Sequence, residues 1–168
     1  MKSALCVIIL VLNYAYLIAQ NNENRFDNFY IEAGGAGIFY SINFERAVPD
    51  SRQVGSLYTV GISPLLSFQH GDFGSDIGFS GSAQRYYNAN KKSQYSFGLG
   101  ASCIFIAEET LLFITAPITY KYTFSNNRVY LGFSIYGMFE VLQAQMLAFP
   151  GIKAGYNFQM KCKYCRSL

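Results

Sequence analysis

Leu112-Phe113-Ile114-Thr115-Ala116-Pro117-Ile118-Thr119-Tyr120-Lys121-Tyr122-Thr123-Phe124 alternates with a period of two. Leu112, Ile114, Ala116, Ile118, Tyr120, Tyr122 and Phe124 share one side. Phe113, Thr115, Pro117, Thr119, Lys121 and Thr123 share the other. Successive side chains of a strand point to opposite faces, whereas a helix repeats every 3.6 residues. The stretch therefore predicts a long strand with an apolar face that ends in aromatics. Val129, Leu131, Phe133, Ile135, Gly137, Phe139 and Val141 repeat the pattern, as do Tyr95 to Phe105 and Ile152 to Phe158. Their opposite face is mostly Gly, Ser, Thr and Asn, with an occasional charge.

Those two faces decide the fold class. A soluble sandwich or barrel turns its apolar face inward and needs a charged exterior. Here the second face is too small and too neutral for that. Gly and Ser suit a narrow barrel interior, where large side chains would collide. Apolar residues outside and small polar ones inside describe a transmembrane β-barrel. Tyr58, Phe68, Tyr86, Tyr87, Tyr95, Tyr120, Tyr122 and Phe124 fall near strand ends, where interfacial girdles belong. The expected fold is thus an all-β, antiparallel, up-and-down transmembrane barrel, with eight strands in keeping with the even count of this class.

Composition agrees. The chain has 168 residues, one domain's length, with 51% hydrophobic, 17% aromatic and 14% charged residues. Soluble domains carry roughly 25% charge. Ample apolar surface rules out a disordered chain. A mean hydropathy of +0.15, with no long uncharged apolar run past the N-terminus, argues against a helical bundle. The net charge of +3 is small and scattered, so no nucleic-acid partner is expected.

Punctuation places strands near 29–35, 37–47, 54–68, 75–87, 94–106, 111–125, 128–142 and 150–159. Asn126-Asn127 reads as a tight hairpin turn, and 143–149 as a less polar loop. Around Gly34-Gly35-Ala36-Gly37 the apolar parity shifts, which suits either a bulge in one long strand or a turn between two. That motif is no phosphate cradle, since a strand pattern follows it rather than a helix.

Residues 1–19 read as a cleaved secretory signal: Lys2, an apolar run from Ala4, then Ala19 before a polar stretch. The alternative is an uncleaved signal anchor. Residues 20–28 follow as a polar linker, 29–159 as the barrel and 160–168 as a basic tail. Cleavage leaves Cys103, Cys162 and Cys165, an odd number. Cys103 reads as a small hydrophobe within a strand. Cys162 and Cys165 form a Cys-x-x-Cys thiol pair, too few ligands for a zinc site. Its lysine neighbours would favour thiolate, but a local disulfide or exposed tail is the plainer reading.

Three stretches resemble the small outer-membrane β-barrel proteins common in Bacteroidetes. They are Phe29 to Arg46, with Gly34-Gly35-Ala36-Gly37 and Tyr40-Ser41-Ile42-Asn43-Phe44-Glu45-Arg46; Tyr95 to Ala101, with Gly98 and Gly100; and Pro150 to Phe158. The resemblance implies an outer-membrane location in a Gram-negative bacterium and supplies no catalytic residues. It also implies the barrel-assembly machinery as a partner, which reads a terminal aromatic; here Gln159 to Leu168 follow Phe158.

Glu32, Glu45, Lys121, Glu140 and Lys153 lie on the polar faces by parity. A narrow lumen would make them buried ion pairs and hydrogen bonds rather than a solute pathway. Arg85 shares a face with Ile77, Phe79 and Ala83, at a strand end from which it can snorkel to the interface. His70 is the only histidine, with Asp72 and Ser75 nearby. A loop gives these three no rigid catalytic frame. The expected protein is a monomeric, non-enzymatic envelope barrel in outer-membrane lipid, structural or binding through loops, with no cofactor and no metal. The rivals are a lipid-modifying membrane enzyme and a lipocalin-like soluble barrel whose aromatic face points inward.

Overall fold

The computed structural model describes residues 25–37, 39–69, 72–88, 92–106, 109–124 and 128–161. The expected signal 1–19, His70, the Asn126-Asn127 turn, Cys162 and Cys165 lie outside the described residues. Eight strands follow in order: β1 (Arg25–Gly34), β2 (Tyr40–Pro49), β3 (Val54–Gln69), β4 (Asp72–Asn88), β5 (Ser93–Ile106), β6 (Glu109–Thr123), β7 (Val129–Glu140) and β8 (Gln145–Lys161). Each pairs antiparallel with its neighbours in sequence, and β8 pairs with β1, so the sheet is a closed up-and-down barrel. Closure gives every strand two hydrogen-bonding neighbours, which hydrocarbon demands of any backbone that crosses it.

Residues 29–47 form two strands rather than one bulged strand. A 3-10 turn at Gly35–Gly37 separates them. Gly34 and Gly35 have φ of 78° and 72°, a left-handed backbone that glycine adopts without strain. The turn explains the parity shift. Even-numbered residues face inward on β1 and odd-numbered ones on β2.

The boundaries depart furthest from expectation at the start of β1 and at the start of β8. β1 begins at Arg25, so residues 25–28 belong to the barrel and not to the linker 20–28. β8 begins at Gln145 and ends at Lys161, taking in part of the expected loop 143–149 and the first residues of the tail. The cause is register. Arg25 pairs with Lys161 and Gln145 pairs with Glu140, so partner strands extend both ends past the clear alternation.

The faces divide as the alternation requires. Leu99 (67%), Ile118 (66%), Ile152 and Ile31 are exposed on the outside, while Ser96, Thr119, Lys153 and Glu32 are buried inside. A lipocalin-like barrel would need the first set inward, and the sheet turns it out. Tyr86 is a correction. It was expected in the aromatic girdle, yet it is buried inside against Ala47, Leu57 and Phe26. Adjacent strand residues point opposite ways, so of Tyr86 and Tyr87 only one can face lipid. Gly55, its register partner on β3, leaves room: a Cβ there would stand 2.5 Å from the Tyr86 ring.

The two barrel ends differ. Arg25 and Lys161, the first residue of β1 and the last of β8, share one end with the β2–β3, β4–β5 and β6–β7 links. At the other end β3 pairs with β2 only to Ile62, and β4 with β5 only to Ile77. Beyond those points the β3–β4 hairpin pairs with itself alone and stands above the rim.

A charge placed at mid-strand on the outer face tests the lipid-facing assignment. Leu99→Arg should lower the unfolding free energy in a lipid bilayer by about 2–4 kcal/mol. Urea titration of vesicle-embedded protein measures it. An unchanged midpoint would show that Leu99 does not meet hydrocarbon.

Candidate functional site

The inward side chains make three layers along the barrel axis. At the end holding the termini, Ala47, Leu57 and Tyr86 pack with Phe26 into an apolar plug. At the opposite end, Ala36, Ile104, Phe113, Tyr136 and Met138 form a second plug with Leu111 and Phe149. Ala36 comes from the 3-10 turn, which folds into the mouth of the barrel and closes it. A polar layer lies between the plugs.

Two ion pairs organise that layer. Lys121 Nζ stands 2.5 Å from Glu45 Oε1, and Asn28 Nδ2 donates to the same oxygen at 2.7 Å. Higher up, Lys153 Nζ stands 3.7 Å from Glu32 Oε1. Glu32 also accepts Ser134 Oγ at 2.7 Å and Tyr136 Oη at 3.0 Å. Lys153 Nζ donates to Thr119 Oγ1 at 3.3 Å. All four charged side chains are at least nine-tenths buried. A charge withdrawn from water this far is tolerated only when paired and hydrogen-bonded.

Aromatic faces separate the two lysines. Lys121 Nζ lies 4.4 Å from the Tyr130 ring centroid, and Lys153 Nζ lies 5.0 Å from that of Tyr30. The two rings meet at 6.4 Å. The sequence of groups is ammonium, ring, ring, ammonium, with each cation on the electron-rich face of its ring. Gly155, in register with Tyr130, has no side chain to obstruct that ring. Gly35 does the same for Glu32: a Cβ there would fall 2.6 Å from its carboxylate carbon.

The five charged positions read from parity therefore divide. Glu32, Glu45, Lys121 and Lys153 make two ion pairs across the lumen. Glu140 faces inward and is buried, but no described cation pairs with it, and its Oε1 has no hydrogen-bond partner among the described residues. It sits at the last residue of β7, beyond the reach of either lysine. Sequence reading missed the interior tyrosines Tyr30, Tyr130 and Tyr136, as well as Tyr86. The signal for two of them was present: Tyr130 and Tyr136 alternate with outward-facing Leu131 and Ile135. Arg85 is exposed on the outer face, as its parity requires. It donates to Asp50 Oδ2 at 2.6 Å and to Ser56 Oγ at 2.9 Å.

Among the described residues no group of three His, Cys, Asp or Glu side chains is placed to hold a metal ion. The polar layer is charged, interlocked and covered at both ends. It is built as a filled core.

This architecture is that of the small eight-stranded membrane barrels. Among solved structures, the N-terminal β-barrel domain of Pseudomonas aeruginosa OprF matches with a TM-score of 0.54 at 13% identity, over 83% of this chain and 100% of that one. The attachment invasion locus protein Ail of Yersinia pestis, solved with the heparin analogue sucrose octasulfate, matches with a TM-score of 0.56 at 12% identity, over 80% and 97%. The same outer membrane protein in a phospholipid bilayer nanodisc matches at 0.50 and 12% identity, over 82% and 100%. At such identities the likeness is one of fold. No family model matches the chain. No curated protein matches it in sequence.

Removing one partner of a buried pair should expose its worth. Glu45→Gln leaves Lys121 buried without its carboxylate and should cost about 3–5 kcal/mol. Replacing both, as Glu45→Gln with Lys121→Met, should recover most of that loss. A double-mutant cycle in denaturant reads the coupling. Additive losses would mean that the two side chains do not interact.

Proposed function

We propose that this chain is an integral protein of a Gram-negative outer membrane, structural or binding at its rims, and not an enzyme. One observation carries the reading: an outer face that is apolar away from its rims surrounds an interior holding two buried ion pairs. In water that arrangement is inverted and would aggregate; in lipid it is the stable one. The solved neighbours support it through shared fold, one of them an outer membrane protein held in a bilayer. The Phe29–Arg46, Tyr95–Ala101 and Pro150–Phe158 motifs support kinship with barrels of the Bacteroidetes kind. The apolar run after Lys2 supports export through a cleaved signal, and the closed sheet supports a monomer inserted by the barrel-assembly machinery.

The filled lumen argues against a pore. An eight-stranded barrel has an interior just wide enough for side chains. Here two plugs and two ion pairs occupy it. The lipid-modifying alternative would need a catalytic group held rigidly near the outer leaflet. Its best candidate, His70, lies outside the described residues.

Cell fractionation tests the reading. The protein should remain in the membrane pellet after a high-salt wash and need detergent for release. Unboiled, it should migrate on a denaturing gel at a position different from the boiled sample, because a closed barrel resists the detergent. Release without detergent, together with identical migration, would end the membrane reading. In a planar bilayer the inserted protein should show no sustained conductance.

A further inference from the structure

Apart from Lys121 and Lys153 in the lumen, the described positive charges occupy one end of the barrel. Past the N-terminal segment, lysine and arginine fall in short windows: Arg46 to Arg52, Arg85 to Lys92, Lys121 to Arg128, and the chain ends. None occurs from residue 53 to 84, from 93 to 120 or from 129 to 152. Up-and-down topology brings these windows together, because every second link returns to the same rim. The β2–β3, β4–β5 and β6–β7 links lie there, beside Arg25 and Lys161, which pair in register. The opposite rim has acids instead: Asp72 opens β4, Glu109 opens β6 and Glu140 ends β7.

Apart from Arg85, which lies level with Phe97 and one step inside Tyr87 and Tyr95, the described cations of this rim stand just beyond an aromatic belt. Phe29, Phe44 and Phe158 cluster on the outer face near this end, with ring centroids 5.7 to 6.3 Å apart. Tyr87 stacks on Phe97 at 5.9 Å, and Tyr95 meets Tyr120 at 5.0 Å. Arg46 lies over the Phe44 ring at 5.7 Å. Arg128 Nη1 reaches Tyr156 Oη at 3.4 Å. Arg85 directly precedes Tyr87's neighbour Tyr86, and Arg52 and Lys92 are exposed in the links. Such rings mark the boundary between hydrocarbon and headgroup. The cations one step outward are therefore at the depth of lipid phosphate.

Carboxylates at this rim are fewer. Asp27 pairs with Arg46 at 2.9 Å, and Asp50 with Arg85 at 2.6 Å. Among the described residues Arg46, Arg52, Arg85, Lys92 and Arg128 stand at this rim with Asp27 and Asp50, so its net charge is positive. We infer that this rim binds the headgroups of anionic phospholipid, in the leaflet on the side of Arg25, Lys161 and the β2–β3, β4–β5 and β6–β7 links. Basic residues at a membrane surface attract anionic lipid over a Debye length, and salt weakens the attraction. The inference rests on the membrane reading above and adds an orientation and a lipid class to it.

The test uses the full chain refolded into phosphatidylcholine vesicles that contain spin-labelled phosphatidylglycerol or spin-labelled phosphatidylcholine. Electron spin resonance gives the fraction of label held at the protein surface. Phosphatidylglycerol should be preferred several-fold at low ionic strength, and the preference should collapse at high salt. The triple variant Arg52→Gln, Lys92→Gln, Arg128→Gln should lose most of it while keeping its unboiled gel position. Arg52→Lys with Arg128→Lys should retain it. An inserted, heat-modifiable barrel without the preference overturns this inference and leaves the membrane reading standing. A triple variant that keeps the preference also overturns it. A chain that inserts into no bilayer overturns both. Retention of soluble dextran sulfate without lipid preference would assign the rim to a soluble polyanion and overturn the lipid assignment.

Discussion

The pairing of β1 with β8 is the contact on which the rest depends. Arg25–Gly34 and Gly151–Lys161 come from opposite ends of the sequence, and their ladder turns an open sheet into a tube. Without it both edge strands would present unpaired amides, which hydrocarbon does not tolerate and which other chains would pair with. With it, each strand acquires a definite inside. Once inside and outside are defined, every alternating residue is committed to the outer face or to the lumen, and a slip of one residue would exchange the two. The bulge between Asp27 and Asn28 falls in this same ladder, near the rim, where the strand can bend without disturbing the register of Tyr30 and Glu32.

Closure creates the problem that the interior solves. A tube this narrow cannot be left empty, because its walls would lose packing contacts on one side. Nor can it be filled with alternating hydrophobes alone, since the glycine and serine positions that let the wall curve leave uneven space. The chain fills it with four interior tyrosines, three of them set against glycines on neighbouring strands, and with lysines whose long stems reach into the lumen. The carboxylates of Glu32 and Glu45 then become necessary, because a lysine taken that far from water needs a counter-charge. The polar layer follows from the choice of long side chains to span the gap.

Much of this was legible in the sequence. The strand class and the outward direction of Leu99, Ile118 and Ile152 follow from parity alone, because in a strand parity is geometry; the count of eight rested also on turn punctuation and on the even number of strands in such barrels. The same rule placed Glu32, Glu45, Lys121, Glu140 and Lys153 inside. What parity does not contain is height along the axis. It could not say that Glu45 meets Lys121 and Glu32 meets Lys153, since those partners are 76 and 121 positions apart and meet only through register around the closed tube. Nor could it leave Glu140 aside, which differs from the others only in depth. Tyr86 was misplaced for a different reason. Strand-end aromatics were read as girdle by type, although Tyr87 beside it already claimed the outer face. The boundaries at Arg25 and Gln145 were hidden because a partner strand, not local pattern, extends each end.

The two apolar plugs have a consequence for solvent access. They place Glu32, Glu45, Lys121 and Lys153 in a sealed compartment between Tyr86 at one end and Met138 at the other. Their near-complete burial leaves these groups little contact with the surrounding solution. The two ends that cover them are built differently: one is a packed ring of strand residues, and the other adds a glycine-rich turn to its strand residues.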